Sequence, residues 1–171
     1  MSRFTPVLSC FFGILTLSVG CTAKTTSDSG AHSPDSAAMA EPEAGSGSIA
    51  IRFAIDGDLA ESMDVSPTGM FLGEIYDAED VSAIGPADGA IPLEALSISM
   101  NLEVDGSPSG ILYTSGVLDP EQVTVLGTLD VDESGGASGG DPVTLPGVNT
   151  FTVYSDLTEE VVVEFTLGYP G

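Results

Sequence analysis

Apolar side chains alternate with polar or small ones along much of this chain. The clearest series lies between residues 96 and 104, and its apolar members are Leu96, Ile98, Met100, Leu102 and Val104. A period of two gives an extended strand one apolar face, because successive side chains of a strand point to opposite sides. Similar segments occur at 49–55, 70–76, 111–114, 123–131, 151–153 and 161–167. The pattern predicts a chain built of strands.

Turn-forming residues separate these segments, and none of the intervals keeps a helical spacing beyond a short turn near 77–83. The turn signals are Asp56-Gly57-Asp58, Asp88-Gly89, Asp105-Gly106, Ser107-Pro108-Ser109-Gly110, Asp119-Pro120 and Pro146-Gly147. Short strands at this spacing predict an all-β fold, an antiparallel β-sandwich of immunoglobulin-like or transthyretin-like type. A small barrel is the alternative. Gly127 interrupts its strand, which indicates a bulge or a point of close packing.

The N-terminal part of the chain has the features of an export signal. Arg3 precedes an apolar run from about Val7 to Val19, which is shorter than the roughly 20 residues of a membrane-spanning helix. Residues 1–20 are therefore predicted to be a signal peptide. Residues 21–47 have little apolar surface to bury, so they are predicted to form a disordered tether. The β domain is predicted to span residues 48–171.

The signal ends in Leu17-Ser18-Val19-Gly20-Cys21, which resembles the lipobox of bacterial lipoproteins. The resemblance implies that Cys21 becomes the lipid-modified first residue and anchors the protein to the cell envelope. Thr22 follows the cysteine where an Asp would retain the protein on the inner membrane, which favours the outer membrane. The body of the chain resembles single-domain β-sandwich lipoproteins of bacteria, through the lipobox, the tether and the strand at 126–132, and this resemblance implies no particular activity. An ordinary secretory signal is the alternative.

The charge of the chain excludes two classes of partner. It has 3 Lys and Arg against 26 Asp and Glu, which gives a formal net charge of −23 at pH 7. Nucleic-acid phosphates and anionic lipid headgroups are bound mainly through Lys and Arg, so we expect neither to be a partner. Attachment to a membrane is therefore expected to come from the N-terminal lipid alone.

The chemistry open to the predicted domain is narrow. Both cysteines, Cys10 and Cys21, and the single histidine, His32, precede it. The domain therefore has no thiolate nucleophile, disulfide framework, imidazole base or histidine zinc ligand. The acidic clusters at 77–80 and 159–160 are expected to be solvated turn residues. The leading hypothesis is a lipid-anchored envelope protein with a non-enzymatic binding or structural domain. The alternative is an envelope hydrolase that uses carboxylates or a bound metal.

One spacing follows the logic of metal coordination. Asp130, Asp132, Ser134 and Asp141 occupy positions 1, 3, 5 and 12 of a calcium-loop pattern, with Gly135 at the sharp-turn position 6. Calcium prefers hard oxygen ligands, and close carboxylates repel one another unless a cation lies between them. Position 12 is Asp, where the helical calcium loops have a longer Glu. The sequence thus predicts a calcium site there, with a solvated acidic hairpin loop as the alternative.

Overall fold

The computed structural model describes residues 41–63 and 67–171, and strands dominate this part of the chain. Its two helical elements are short: α1, Gly57–Ser62, and a 3₁₀ turn, Ala78–Asp80. The strands are β1 Ser48–Ile55, β2 Thr68–Asp77, β3 Val81–Ser82, β4 Gly85–Pro86, β5 Glu94–Asn101, β6 Tyr113–Thr114, β7 Gln122–Asp130, β8 Pro142–Thr144, β9 Thr150–Thr152 and β10 Thr158–Gly168. The prediction of an all-β fold is confirmed.

Eight of these strands form one sheet, in the order β5-β2-β7-β8-β10-β1-β6, with β9 paired to β7. Strands β3 and β4 make a separate small hairpin. Strands β1 and β10 run parallel, whereas the other described pairs are antiparallel. The prediction of an antiparallel sheet is therefore wrong for this pair. The two strands lie far apart in the chain, which leaves room for the long connection that parallel pairing needs.

The sheet curves until it is nearly barrel-shaped, and its two edge strands approach each other. Glu94 of β5 accepts hydrogen bonds from the Tyr113 hydroxyl of β6 and from the Gly116 N–H, the latter at 3.3 Å. Side-chain hydrogen bonds of one glutamate thus connect the edge strands β5 and β6, which do not pair with each other in the sheet order.

Three aromatic rings occupy the centre of the core. Phe53 of β1, Phe71 of β2 and Phe165 of β10 are fully buried, with ring centroids 4.9–6.0 Å apart. The aliphatic core around them comes mainly from β1, β2, β7 and β10: Ile49, Ile51, Ile55, Ile75, Val123, Val125, Leu129 and Val163. These residues follow the predicted alternation, since each strand points every second side chain inward.

Gly127 is a point of close packing and not a bulge in its pairing with β2. It lies opposite Gly73 in an unbroken register between the two strands. A Cβ atom at position 127 would lie 2.6 Å from the Gly73 Cα and 2.6 Å from the ring of Phe71. Glycine at both positions therefore makes room for the central Phe71 ring.

Asn149 ties β10 to the rest of the sheet from a fully buried position. Its Nδ2 donates to the carbonyl oxygens of Leu145 and Glu164, both at 3.0 Å, and its Oδ1 accepts the Glu164 N–H at 2.7 Å. Its own carbonyl oxygen accepts the Val125 N–H of β7 at 3.0 Å. Asn149 thus bonds to β7 and to β10, the two strands on either side of the short strand β8.

Ordered contacts begin a few residues before the predicted domain boundary at Ser48. The Gly45 N–H donates to the Val153 carbonyl at 2.9 Å, and Gly47 exchanges two backbone hydrogen bonds with Leu118. The end of the segment assigned to the tether therefore bonds to the β domain. Residues 1–40, which include the predicted signal peptide and most of the tether, lie outside the described residues.

Helix α1 occupies a position that the sequence marks as a turn. The Asp56 carboxylate accepts the N–H groups of Asp58 at 3.0 Å and of Leu59 at 3.1 Å, which caps the first turn. The helix buries Ala60 against the core and ends at Ser62, with Met63 as its C-cap. It thereby packs near the C-terminal end of β10, beside the acidic loop between β7 and β8.

Candidate functional site

Three aspartates meet in the loop that joins β7 to β8. Asp130 is the last residue of β7, Asp141 precedes β8, and Asp132 lies in the loop between them. Each aspartate offers a carboxylate oxygen, and these three oxygens lie within 4.8 Å of one another. Asp130 and Asp141 are only 3% and 1% exposed, whereas Asp132 is exposed. The structure therefore brings together three of the four residues predicted as metal ligands.

Hydrogen bonds from the loop backbone hold the two buried carboxylates. Asp130 accepts the N–H groups of Ser134 at 3.0 Å and Gly135 at 2.8 Å, one on each oxygen. Asp141 accepts the N–H groups of Val131 at 3.2 Å and Ser138 at 2.7 Å, likewise one on each oxygen. The aspartates therefore also shape the loop that carries them.

Ser134, the fourth predicted ligand, takes part in this loop through its backbone. Its N–H lies 3.0 Å from Asp130 Oδ1 and 3.1 Å from Asp132 Oδ1. Its hydroxyl donates to the Gly136 carbonyl oxygen at 3.0 Å. The preceding Glu133 has φ 58° and the following Gly135 has φ 89°, so the loop turns through left-handed conformations around Ser134.

The electrostatic surroundings of the three aspartates are strongly acidic. Within residues 41–63 and 67–171, Arg52 is the one cationic side chain, and it is paired with Glu160 at 2.9 Å. Hydrogen bonding from Ser134 and then from Ser138 lowers the pKa of Asp132, which favours its charged form. A hard divalent cation would relieve the repulsion among these carboxylates, and calcium would take further oxygens from backbone carbonyls or water.

An open groove lies beside this loop. Its volume is about 440 Å³, and it is bounded by α1 on one side and the loop on the other. Leu59 and Met63 supply apolar walls, whereas Asp132 and Asp141 supply acidic ones. A ligand in this groove would contact both apolar carbon and carboxylate oxygen.

A second groove, of about 460 Å³, has four acidic residues in its lining, Asp77, Glu79, Asp119 and Glu121. Two of them have local structural partners. Asp77 accepts the Glu79 N–H at 3.0 Å and caps the 3₁₀ turn, and Asp119 accepts the Ser46 hydroxyl at 3.2 Å. Glu79 and Asp80 are exposed, as expected for solvated turn residues, whereas Asp77 is half-buried.

Two tyrosine–glutamate pairs were not predicted as candidate site residues. The Tyr76 hydroxyl donates to Glu74 on β2, and the Tyr113 hydroxyl donates to Glu94. Hydrogen bonding to Glu74, with burial, raises the pKa of Tyr76 to about 12. The alternation on β2 places residues 74 and 76 on one face, but the partnership of residues 94 and 113 depends on the curvature of the sheet.

The proposed lipidation residue Cys21, like His32, lies outside the described residues. In the part of the chain that the structure describes, no helix is long and apolar enough for a membrane crossing. Comparisons of the chain with protein-family models, curated proteins and solved structures found no match.

Proposed function

We propose that this chain is a lipid-anchored protein of the bacterial cell envelope whose β domain acts by binding or as a structural unit, not by catalysis. Residues 1–20 direct export, and Cys21 carries the lipid that holds the protein, at the outer membrane, through the tether. The lipid is needed because the acidic domain has no basic surface for anionic headgroups. The order of signal, cysteine, tether and domain in the sequence supports this proposal.

The binding role is supported by the positions of the aromatic and the acidic side chains in the β domain. Its centre is filled by three packed phenylalanine rings, and many of its carboxylates lie in exposed turns and open grooves. Such a domain offers acidic loops on a rigid support. Charge complementarity then favours a cationic protein surface or divalent cations as its partners.

We also propose that the curved sheet belongs to the β-sandwich class, of immunoglobulin-like or transthyretin-like type. One layer would contain β5, β2, β7 and β9, and the other β8, β10, β1 and β6. Two observations support this division. Strands β7 and β8 share a single register pair, Thr128 with Val143, and Phe71 of the first layer contacts Phe53 and Phe165 of the second.

Calcium at the loop between residues 130 and 141 is the ligand we propose for this domain. Three carboxylate oxygens within 4.8 Å support the proposal. The hydrogen bonds that Asp130, Asp132 and Asp141 accept also give the loop a structural role that needs no ion. A calcium titration of the folded protein distinguishes a metal site from an acidic hairpin loop.

The anchor is tested by changing each cysteine separately in the full chain. Cys21→Ala is expected to abolish acylation and to move the protein from the membrane to the soluble fraction. Cys10→Ala is the matched control, because it also removes a cysteine yet leaves the proposed processing site intact. The readouts are membrane fractionation and the mass of the N-terminal peptide. Unchanged fractionation of Cys21→Ala, with no acyl mass on the wild-type peptide, would disprove the lipoprotein proposal.

A carboxylate-dependent envelope hydrolase is the second candidate, and the groove of four carboxylates favours it. Paired carboxylates in one cleft are the usual machinery of glycoside hydrolysis. We would assay the protein against chromogenic glycosides and esters, together with the variant Asp119→Asn/Glu121→Gln. Turnover that the double variant loses would support the hydrolase, and equal rates for both proteins and the buffer would support the binding role.

A further inference from the structure

The parallel pair of β1 and β10 covers the whole length of β1. Eight residue pairs are in register, from Ser48 with Thr158 to Ile55 with Phe165. In a parallel pair, the N-terminal end of one strand and the C-terminal end of the other lie at opposite ends of the ladder. At about 3.3 Å per residue, roughly 23 Å of ladder separates these two ends. Opposite pulls on them would act along the strands.

Both ends of this ladder are fastened to neighbouring backbone. Before β1, Gly45 bonds to Val153, Gly47 bonds to Leu118, and the Ser48 N–H donates to the Leu157 carbonyl at 2.9 Å. After β10, the Tyr169 N–H donates to the Asp141 carbonyl at 2.7 Å. A load that enters at either end is therefore shared between these bonds and the ladder.

The sides of the ladder are also held. On the outer side of β1, the Ser109 and Ser115 hydroxyls accept the N–H groups of Phe53 and Ile49, both at 3.0 Å. On the outer side of β10, β8 pairs with its C-terminal part, from Phe165 with Thr144 to Gly168 with Pro142. Neither strand can slide past the other without also disturbing its second neighbour.

We infer that the β1–β10 pair is a mechanical clamp that resists tension applied between the N-terminal end of β1 and the C-terminal end of β10. Tension in this direction loads all eight register pairs together, in shear, whereas tension across the strands breaks them one after another. The clamp is a property of the β domain itself. Its use in the cell rests on the proposed function, because a lipid on Cys21 would transmit force to the domain from its N-terminal side.

The experiment pulls single molecules of the full chain through two pairs of attachment points. Azide-bearing amino acids at positions 41 and 170 load the ladder in shear. The same side chains at positions 41 and 157 load it at one end, because Leu157 and the start of β1 lie together. Both proteins are first compared by urea unfolding, so that a difference in equilibrium stability is measured separately from a difference in force.

If the β1–β10 pair is a clamp, the unfolding force with attachment at positions 41 and 170 should be at least roughly twice the force with attachment at positions 41 and 157, at the same loading rate. The reason is that forced unfolding follows the unfolding barrier. Equal forces in the two geometries would overturn the inference. This outcome does not depend on acylation, so failure of the clamp and failure of the lipid anchor are distinguishable.

Discussion

Replacement of Asn149 tests how the sheet is held together where β8 is short. Asn149→Ala removes the three side-chain hydrogen bonds to Leu145 and Glu164 but leaves the Asn149 backbone bond to Val125 in place. The backbone N–H and C=O of Glu164 then lose their partner in the loop. The variant is therefore expected to loosen the join between β10 and β7 and to leave the aromatic core unchanged.

The magnitude follows from the groups left without partners. An orphaned buried backbone group costs about 1–3 kcal/mol, and three such groups with partial access to water give about 3–5 kcal/mol. A loss of this size is a large part of the roughly 5–15 kcal/mol of a typical domain. For a domain of this length we expect the melting temperature to fall by roughly 10–20 °C.

The assay is urea unfolding followed by circular dichroism, with the midpoint and slope fitted separately. A lower midpoint at an unchanged slope reports lost stability and not a change in compactness. Asn101→Ala is the matched control, because Asn101 is exposed and its Oδ1 accepts a hydrogen bond from the Thr68 hydroxyl. If Asn149→Ala costs no more than Asn101→Ala, the role assigned to Asn149 is wrong.

Three further predictions concern Gly127, Ser115 and the binding of calcium. Gly127→Ala should destabilise the domain by about 2–4 kcal/mol, because its Cβ would overlap Gly73 and the Phe71 ring, whereas Gly116→Ala, with open space around it, should change stability little. Ser115→Ala should cost about 1–3 kcal/mol in urea unfolding by leaving the buried Ile49 N–H without its acceptor, and an equal effect of Ser97→Ala at an exposed position would contradict this. Calcium should raise the melting temperature above its value in EDTA. When the free ion concentration is about a hundred times its dissociation constant, the free energy of unfolding should rise by about 2.7 kcal/mol. Asp132→Asn should reduce that shift, and an equal shift with magnesium at the same ionic strength would indicate screening and no site.

The strands were predictable because local alternation determines them, but their partners were not. All seven predicted segments overlap strands of the structure. The predicted segment 96–104, for example, overlaps β5, which runs from Glu94 to Asn101. The pattern missed β8, because three residues that begin with Pro142 carry no alternation. It also missed α1, since Asp56-Gly57-Asp58 is typical of a turn until the Asp56 carboxylate caps a helix.

The acidic loop was predictable from spacing, whereas the side-chain bonds across the fold were not. Asp130 ends β7 and Asp132 lies just after it, and a tight loop returns Asp141 to them, so proximity in sequence becomes proximity in space. The contact of Glu94 with Tyr113 joins the two edges of a curved sheet, and no local pattern encodes that curvature. The parallel pairing of β1 and β10 is likewise decided by packing of the whole domain.

The pairing of the first long strand with the last also sets the order of events during synthesis of the chain. Ser48 meets its partner Thr158 only after 110 residues of chain have followed it. Until then, Ile49, Ile51 and Phe53 have no partner on the β10 side and expose apolar surface to water. Such distant pairing slows folding and leaves incomplete chains prone to aggregation. We therefore expect the domain to complete its fold only after residues 158–168 have been synthesised.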